Sequence, residues 1–190
     1  MFNSLGKVYG YSVDYEVFGP RLKNPPNVCA IIPEMDNYLN GNRLDRFLKE
    51  SKTAIIEWEN HLKSKSAKTR YNWEINYIEI PVQKQDGYNY SECDVFIRFQ
   101  PKPDNPDDWY KKAGESIFEA SSTGRATIIA YYVAIETCRT EDARYVYYDP
   151  CYSEINTRTS DQIGTVIRHE FGHTLGLGHY VSDNESLNLQ

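Results

Sequence analysis

The chain has 190 residues, enough for one domain with a sizeable core. Its net charge of −6 and pI of about 5.3 argue against a nucleic-acid partner. No apolar run approaches bilayer-spanning length, and the start, MFNSLGKVYGYSV, lacks the charged-then-apolar order of a signal peptide.

Residues 1–27 are rich in Tyr, Gly and Pro and end in NPPN. They read as an N-terminal arm with one short strand around 7–18. Residues 28–32 are a short apolar run stopped by Pro33, expected to be a buried strand. Asn42 can cap a helix that runs to about Ser64, because Leu44, Phe47, Leu48, Ile55, Trp58 and Leu62 recur mostly at helical intervals. Its basic end (Lys63, Lys65, Lys68, Arg70) reads as a solvated face, and His61 as a surface residue.

A second strand is expected at 73–80, closed by Pro81. A polar loop at 83–91 and a third strand at 95–99 follow. The Pro- and Asp-rich stretch 101–108 reads as loop. Its Asp104, Asp107 and Asp108 make a Ca2+ site conceivable, but they lack a regular ligand spacing, so a solvated loop is the favoured reading. The run ATIIAYYVAI at 126–135 is strongly strand-forming, and 145–148 is its return. Tyr131, Tyr132, Tyr145, Tyr147 and Tyr148 are expected to pack rather than to react. Four cysteines permit two disulfides in three connectivities, with four free buried thiols as the alternative.

Thr159 or Ser160 caps a last helix, and Gln162 completes a capping box with Thr159. Ile163, Ile167 and Phe171 fall on the side away from His169 and His173. One helix face therefore packs on a sheet while the other presents imidazoles. These histidines belong to HEFGHTLGLGH, residues 169–179, which has the spacing H-E-x-x-H-x-x-G-x-x-H. His169 and His173 are one helical turn apart, so both can reach one metal ion. Glu170 lies beside the ligand face, where a carboxylate reaches a metal-bound water without binding the metal. Gly176 lets the chain leave the helix through a left-handed conformation and swing His179 round as a third ligand. Three neutral imidazoles leave one tetrahedral position open, the layout of a catalytic zinc. HExxH alone arises by chance, whereas the extended form fixes three of the chain's four histidines, a glutamate and a glycine.

This stretch resembles the zinc signature of the metzincin metalloendopeptidases, and looks most like their matrixin (matrix metalloproteinase-like) branch. The resemblance implies one catalytic Zn2+ held by His169, His173 and His179, with Glu170 as general base in the hydrolysis of extended polypeptides. It implies an α/β (α+β) zincin fold over 28–190: a twisted mixed five-stranded sheet, two long helices, and the active-site helix at the C-terminal end. It also implies a secreted or extracellular protein with the disulfides Cys29–Cys93 and Cys138–Cys151. The substrate would pair with an edge strand, expected at Ala126, Thr127, Ile128, Ile129 and Ala130. One departure stands out. Metzincins carry a methionine turn after the third histidine, whereas this chain has Met1 and Met35 and ends at Gln190. The lower subdomain is accordingly expected to be short or truncated. A zinc-binding interaction module without useful peptidase activity is the alternative reading. Tyr180 does not match the residue that most branches use after the third ligand, and Asn89 and Asn184 start short glycosylation-like triplets.

Overall fold

The computed structural model describes residues 22, 24–66, 73–104, 112–118, 125–135, 138–139, 148–149 and 155–178. His179, Tyr180, Cys151, the Cys138 side chain, Asp107, Asp108, Tyr145, Tyr147, Asn184 and the strand expected at 7–18 lie outside them.

The architecture is mixed α/β, with a five-stranded mixed sheet and helices. Strand β1 (Asn27–Ile31) leads through helix α1 (Gly41–Ser66) to β2 (Asn76–Ile80). A helical turn, α2 (Val82–Gln85), and a 3-10 turn at Tyr90–Glu92 occupy the expected polar loop before β3 (Val95–Gln100). Then come β4 (Gly114–Phe118), β5 (Ala126–Tyr131), β6 (Val133–Ile135), β7 (Cys138–Arg139), β8 (Tyr148–Asp149), β9 (Ile155–Thr157) and helix α3 (Ser160–Thr174). The main sheet runs β2-β1-β3-β5-β4. Its first four strands are parallel, and β4 lies antiparallel along β5. Two small antiparallel ladders, β6 with β9 and β7 with β8, complete the described strands.

Period-two alternation divides the sheet into two faces. Val28, Ala30, Val95, Ile97, Phe99, Ile128 and Ala130 face both long helices, where they meet Phe47, Ile55, Ile163, Ile167 and Phe171. Cys29, Ile80 and Phe96 belong to a second cluster with Cys93, backed by Tyr88 and Tyr90. There Cys29 and Cys93 form a disulfide, with Cα atoms 5.8 Å apart. Parallel pairing of β1 with β3 brings the two cysteines together, as the resemblance implied.

Asn40, rather than Asn42, caps α1: its side-chain oxygen accepts the Arg43 N–H at 3.0 Å. Gly41 then opens the helix. Both sides of the α3 capping box are made. Gln162 N–H donates to Thr159 Oγ1 at 3.2 Å, and Thr159 N–H donates to Gln162 Oε1 at 2.9 Å.

Two expectations about the strands are corrected. The run 126–135 is two strands in two sheets, divided at Tyr132. The backbone N–H of Tyr132 donates to Gln100 O, its carbonyl accepts from Arg158 N–H, and its hydroxyl donates to Asp36. Burial acts to raise the Asp36 pKa. Hydrogen bonds from Tyr132, Tyr38 and Leu39 outweigh it and leave the carboxyl below its ordinary value. The second correction concerns Ala126, Thr127, Ile128, Ile129 and Ala130. They are not an edge: β5 lies between β3 and β4, hydrogen-bonded on both sides. Its near-continuous apolar run is the signature of a strand buried on both faces. Among the described strands the edge on this side of the sheet is β4, GESIF, which the pattern of apolar residues did not reveal.

Candidate metal and catalytic site

Helix α3 lies against β4 and β5, and the site forms along its contact with β4. This close approach needs a glycine. A Cβ on Gly114 would sit 2.4 Å from Val166 Cγ1 and 2.8 Å from the Ile129 carbonyl oxygen. Gly114 and Ser116 share one face of β4, and that face meets Glu170. The other long helix holds α3 from behind. Trp58 Nε1 donates to Arg168 O at 2.9 Å, and its ring packs on Phe171 and Gly172. Arg168 also pairs with Glu57.

The end of α3 sets the second histidine. Gly176 has φ +89°, in the left-handed region. Its N–H donates to His173 O at 2.8 Å, and Leu177 N–H donates to Gly172 O at 3.1 Å, which makes a Schellman turn. The turn brings the Leu177 carbonyl within 2.6 Å of His173 Nδ1. A carbonyl only accepts, so Nδ1 is the donor, and in the neutral ring the lone pair is then on Nε2. That is the tautomer a metal ligand needs, held by a backbone partner.

His169 Nε2 and His173 Nε2 lie 3.1 Å apart, with their rings nearly perpendicular. Two imidazole nitrogens on one tetrahedral zinc, each about 2.0–2.1 Å from it, are separated by about 3.3 Å. The pair therefore fits zinc in donor type and spacing, and His173 also in tautomer. Among the described residues no three His, Cys, Asp or Glu side chains gather as a metal site, and His179, the third expected ligand, lies outside those residues.

Glu170 is 7% exposed and sits beside the two imidazoles in the wall of a cleft of about 720 Å3. Ser116 Oγ lies 2.6 Å from Glu170 Oε2 and 2.9 Å from its carbonyl oxygen. The cleft is lined from β4 by Gly114, Glu115, Ser116 and Phe118, and from α3 by Val166, His169, Glu170 and His173. Leu177, just beyond α3, also lines it. Glu115 is engaged by Lys112, at 3.4 Å, and by the Tyr131 hydroxyl.

His169, Glu170 and His173 are thus brought together in the cleft wall, with the two imidazoles on the helix side turned from Ile163, Ile167 and Phe171 and Glu170 buried beside them. Tyr131 and Tyr132 are buried and outside the cleft lining, with hydroxyls committed to Glu115 and Asp36, in keeping with packing roles. Ser116, Gly114 and the Leu177 carbonyl escaped sequence reasoning. A serine in a weakly apolar strand and a backbone carbonyl carry no spacing signal: the first acquires its role from the packing of β4 on α3, the second from the turn at Gly176. Among the described residues no helix is long and apolar enough to cross a membrane. No family model matches the chain, and no curated protein matches it.

Proposed function

We propose that the chain is a zinc-dependent endopeptidase of metzincin type, similar to the matrixins, that hydrolyses peptide bonds in extended polypeptides. The observation that carries this reading is the approach of two imidazole Nε2 atoms to 3.1 Å beside Glu170, in a cleft bordered by a strand edge. His169, His173 and His179 would hold one zinc ion. Bound there, it supplies Lewis acidity, which acidifies water and polarises a carbonyl. The chain's own groups do the remaining work. The Glu170 carboxylate takes the proton of the attacking water and becomes the acid that the next step needs. It then returns that proton to the departing amine. Burial within the cleft wall keeps the group close to its target. The outer edge of β4, which no other described strand covers, has N–H and C=O groups with which an extended polypeptide can pair. Main-chain pairing sets register without choosing sequence, and the apolar surfaces of Phe118, Val166 and Leu177 favour apolar side chains. The Cys29–Cys93 disulfide fits a secreted or extracellular location.

The test joins metal analysis to cleavage of an unfolded polypeptide, with added zinc and a chelator control. One zinc per chain is expected, with cleavage lost to the chelator and restored by zinc. Polypeptides should be cut in preference to dipeptides. Glu170→Gln should keep zinc and lose turnover by about 100-fold or more. His173→Ala should lose the metal itself. A Glu170→Gln variant as active as the native chain would refute the assignment.

A further inference from the structure

The proton carrier has a partner that the zinc motif does not contain. Ser116 projects from the middle of β4, and its hydroxyl oxygen is 2.6 Å from Glu170 Oε2. A hydroxyl has one proton to give, and a carboxylate is a stronger acceptor than a peptide carbonyl. The shorter contact is therefore the donated bond, and the 2.9 Å approach to the Glu170 carbonyl is secondary. Glu170 is nearly buried, so little water competes for this bond. Neighbouring contacts hold the serine in place. Gly114, two residues earlier on the same face, allows β4 to sit this close to α3, and Ser116 is paired with Ile128 in the β4–β5 register.

We propose that Ser116 is a positioning residue for Glu170: its hydroxyl fixes the carboxylate rotamer and occupies Oε2, so that Oε1 is the oxygen that exchanges the proton with water and leaving amine. This inference rests on the peptidase reading and goes beyond it. Ser116 touches neither substrate nor metal in this role, and acts through the carboxylate it orients. An unbraced glutamate samples several rotamers about χ3, and each turn out of line removes it from reach of the proton. The bond also joins the strand edge to the proton carrier, so a polypeptide pairing with β4 docks on the same strand that aims Glu170.

The experiment uses the full chain loaded with zinc, as the native protein and as Ser116→Ala and Ser116→Thr. Three quantities are read: zinc per chain, kcat and KM on fluorescently labelled casein, and the affinity for acetohydroxamate by calorimetry. Acetohydroxamate chelates a zinc ion and can donate its hydroxyl proton to an adjacent carboxylate, so its affinity reports the aim of Glu170 without any turnover. Ser116→Ala should keep its zinc and its KM, lose about tenfold in kcat, and bind acetohydroxamate about tenfold more weakly. Ser116→Thr, which keeps the hydroxyl, should restore both. Native kcat and native acetohydroxamate affinity in Ser116→Ala would overturn the proposal. Loss of zinc from that variant would also overturn it, by showing a role in the scaffold instead. The two readings fail separately. If the native chain leaves casein intact while the alanine variant still weakens acetohydroxamate, the peptidase reading falls and the positioning role stands. If cleavage depends on Glu170 but neither kcat nor acetohydroxamate affinity responds at Ser116, the reverse holds.

Discussion

At Gly176 a single backbone angle ties the end of a helix to the chemistry of a side chain. Its φ of +89° closes the turn that delivers the Leu177 carbonyl to His173 Nδ1, and this bond holds the ring with Nε2 facing His169. A side chain at such an angle costs about 1–2 kcal/mol. Gly176→Ala should therefore lower thermal stability by that amount. It should also weaken zinc binding by about 10- to 100-fold, as loss of a ligand's supporting partner does. Thermal melts paired with zinc titration check both. A fall in stability with unchanged zinc affinity would show that Leu177 does not orient the ring. At this scale the imidazoles and Glu170 were legible, because their types are scarce and their spacing is set by helix geometry. The Leu177 carbonyl was not, since every residue carries one and only the turn makes this one a partner.

Elements decide how the site is walled. Helix α3 was legible in its capping box, which is made, its apolar stripe, which is buried, and its terminal glycine, which takes the left-handed conformation. The strands were less so. Continuous apolar character at β5 marks burial on both faces, and it says nothing about whether a neighbour lies on each side. That neighbour, β4, is a five-residue edge with Gly and Ser facing the helix, and so lacks the apolar alternation that identifies a half-buried strand. Its fit against α3 is tight enough to test. Gly114→Ala should cost about 1–3 kcal/mol, since the new methyl meets both Val166 and the Ile129 carbonyl. Adding Val166→Ala should recover part of the loss but not all of it, because the backbone contact persists. Denaturant unfolding of the single and double variants measures this. Full recovery would show that the side-chain contact alone sets the approach.

For the molecule as a whole, the sheet separates two jobs. Its helix-bearing face supports the cleft, while its other face holds the Cys29–Cys93 bridge within an aromatic cluster. The bridge spans a sequence separation of 64 and ties β1 to the entry of β3, so it restricts the unfolded chain without touching α3. Replacing both cysteines by alanine should lower stability by about 2–4 kcal/mol. Zinc stoichiometry should stay unchanged, because His169 and His173 project from the opposite layer. Unfolding curves together with metal analysis of the double variant test the separation. Loss of zinc from a folded double variant would show that the faces are coupled.

By itself the sequence determined the coarse α/β class, the course of both long helices, and the spacing that sets His169 and His173 on one helical face with Glu170 beside it. These follow from local periodicity and capping, which a reader of the chain can count. Only the tertiary structure decided that β4 is the edge, that Asn40 rather than Asn42 starts α1, and that Ser116 stands beside Glu170, 54 residues away along the chain. The physical reason is that strand order and cross-layer contacts depend on which surfaces remain to be buried once the helices have packed. No local pattern encodes that competition.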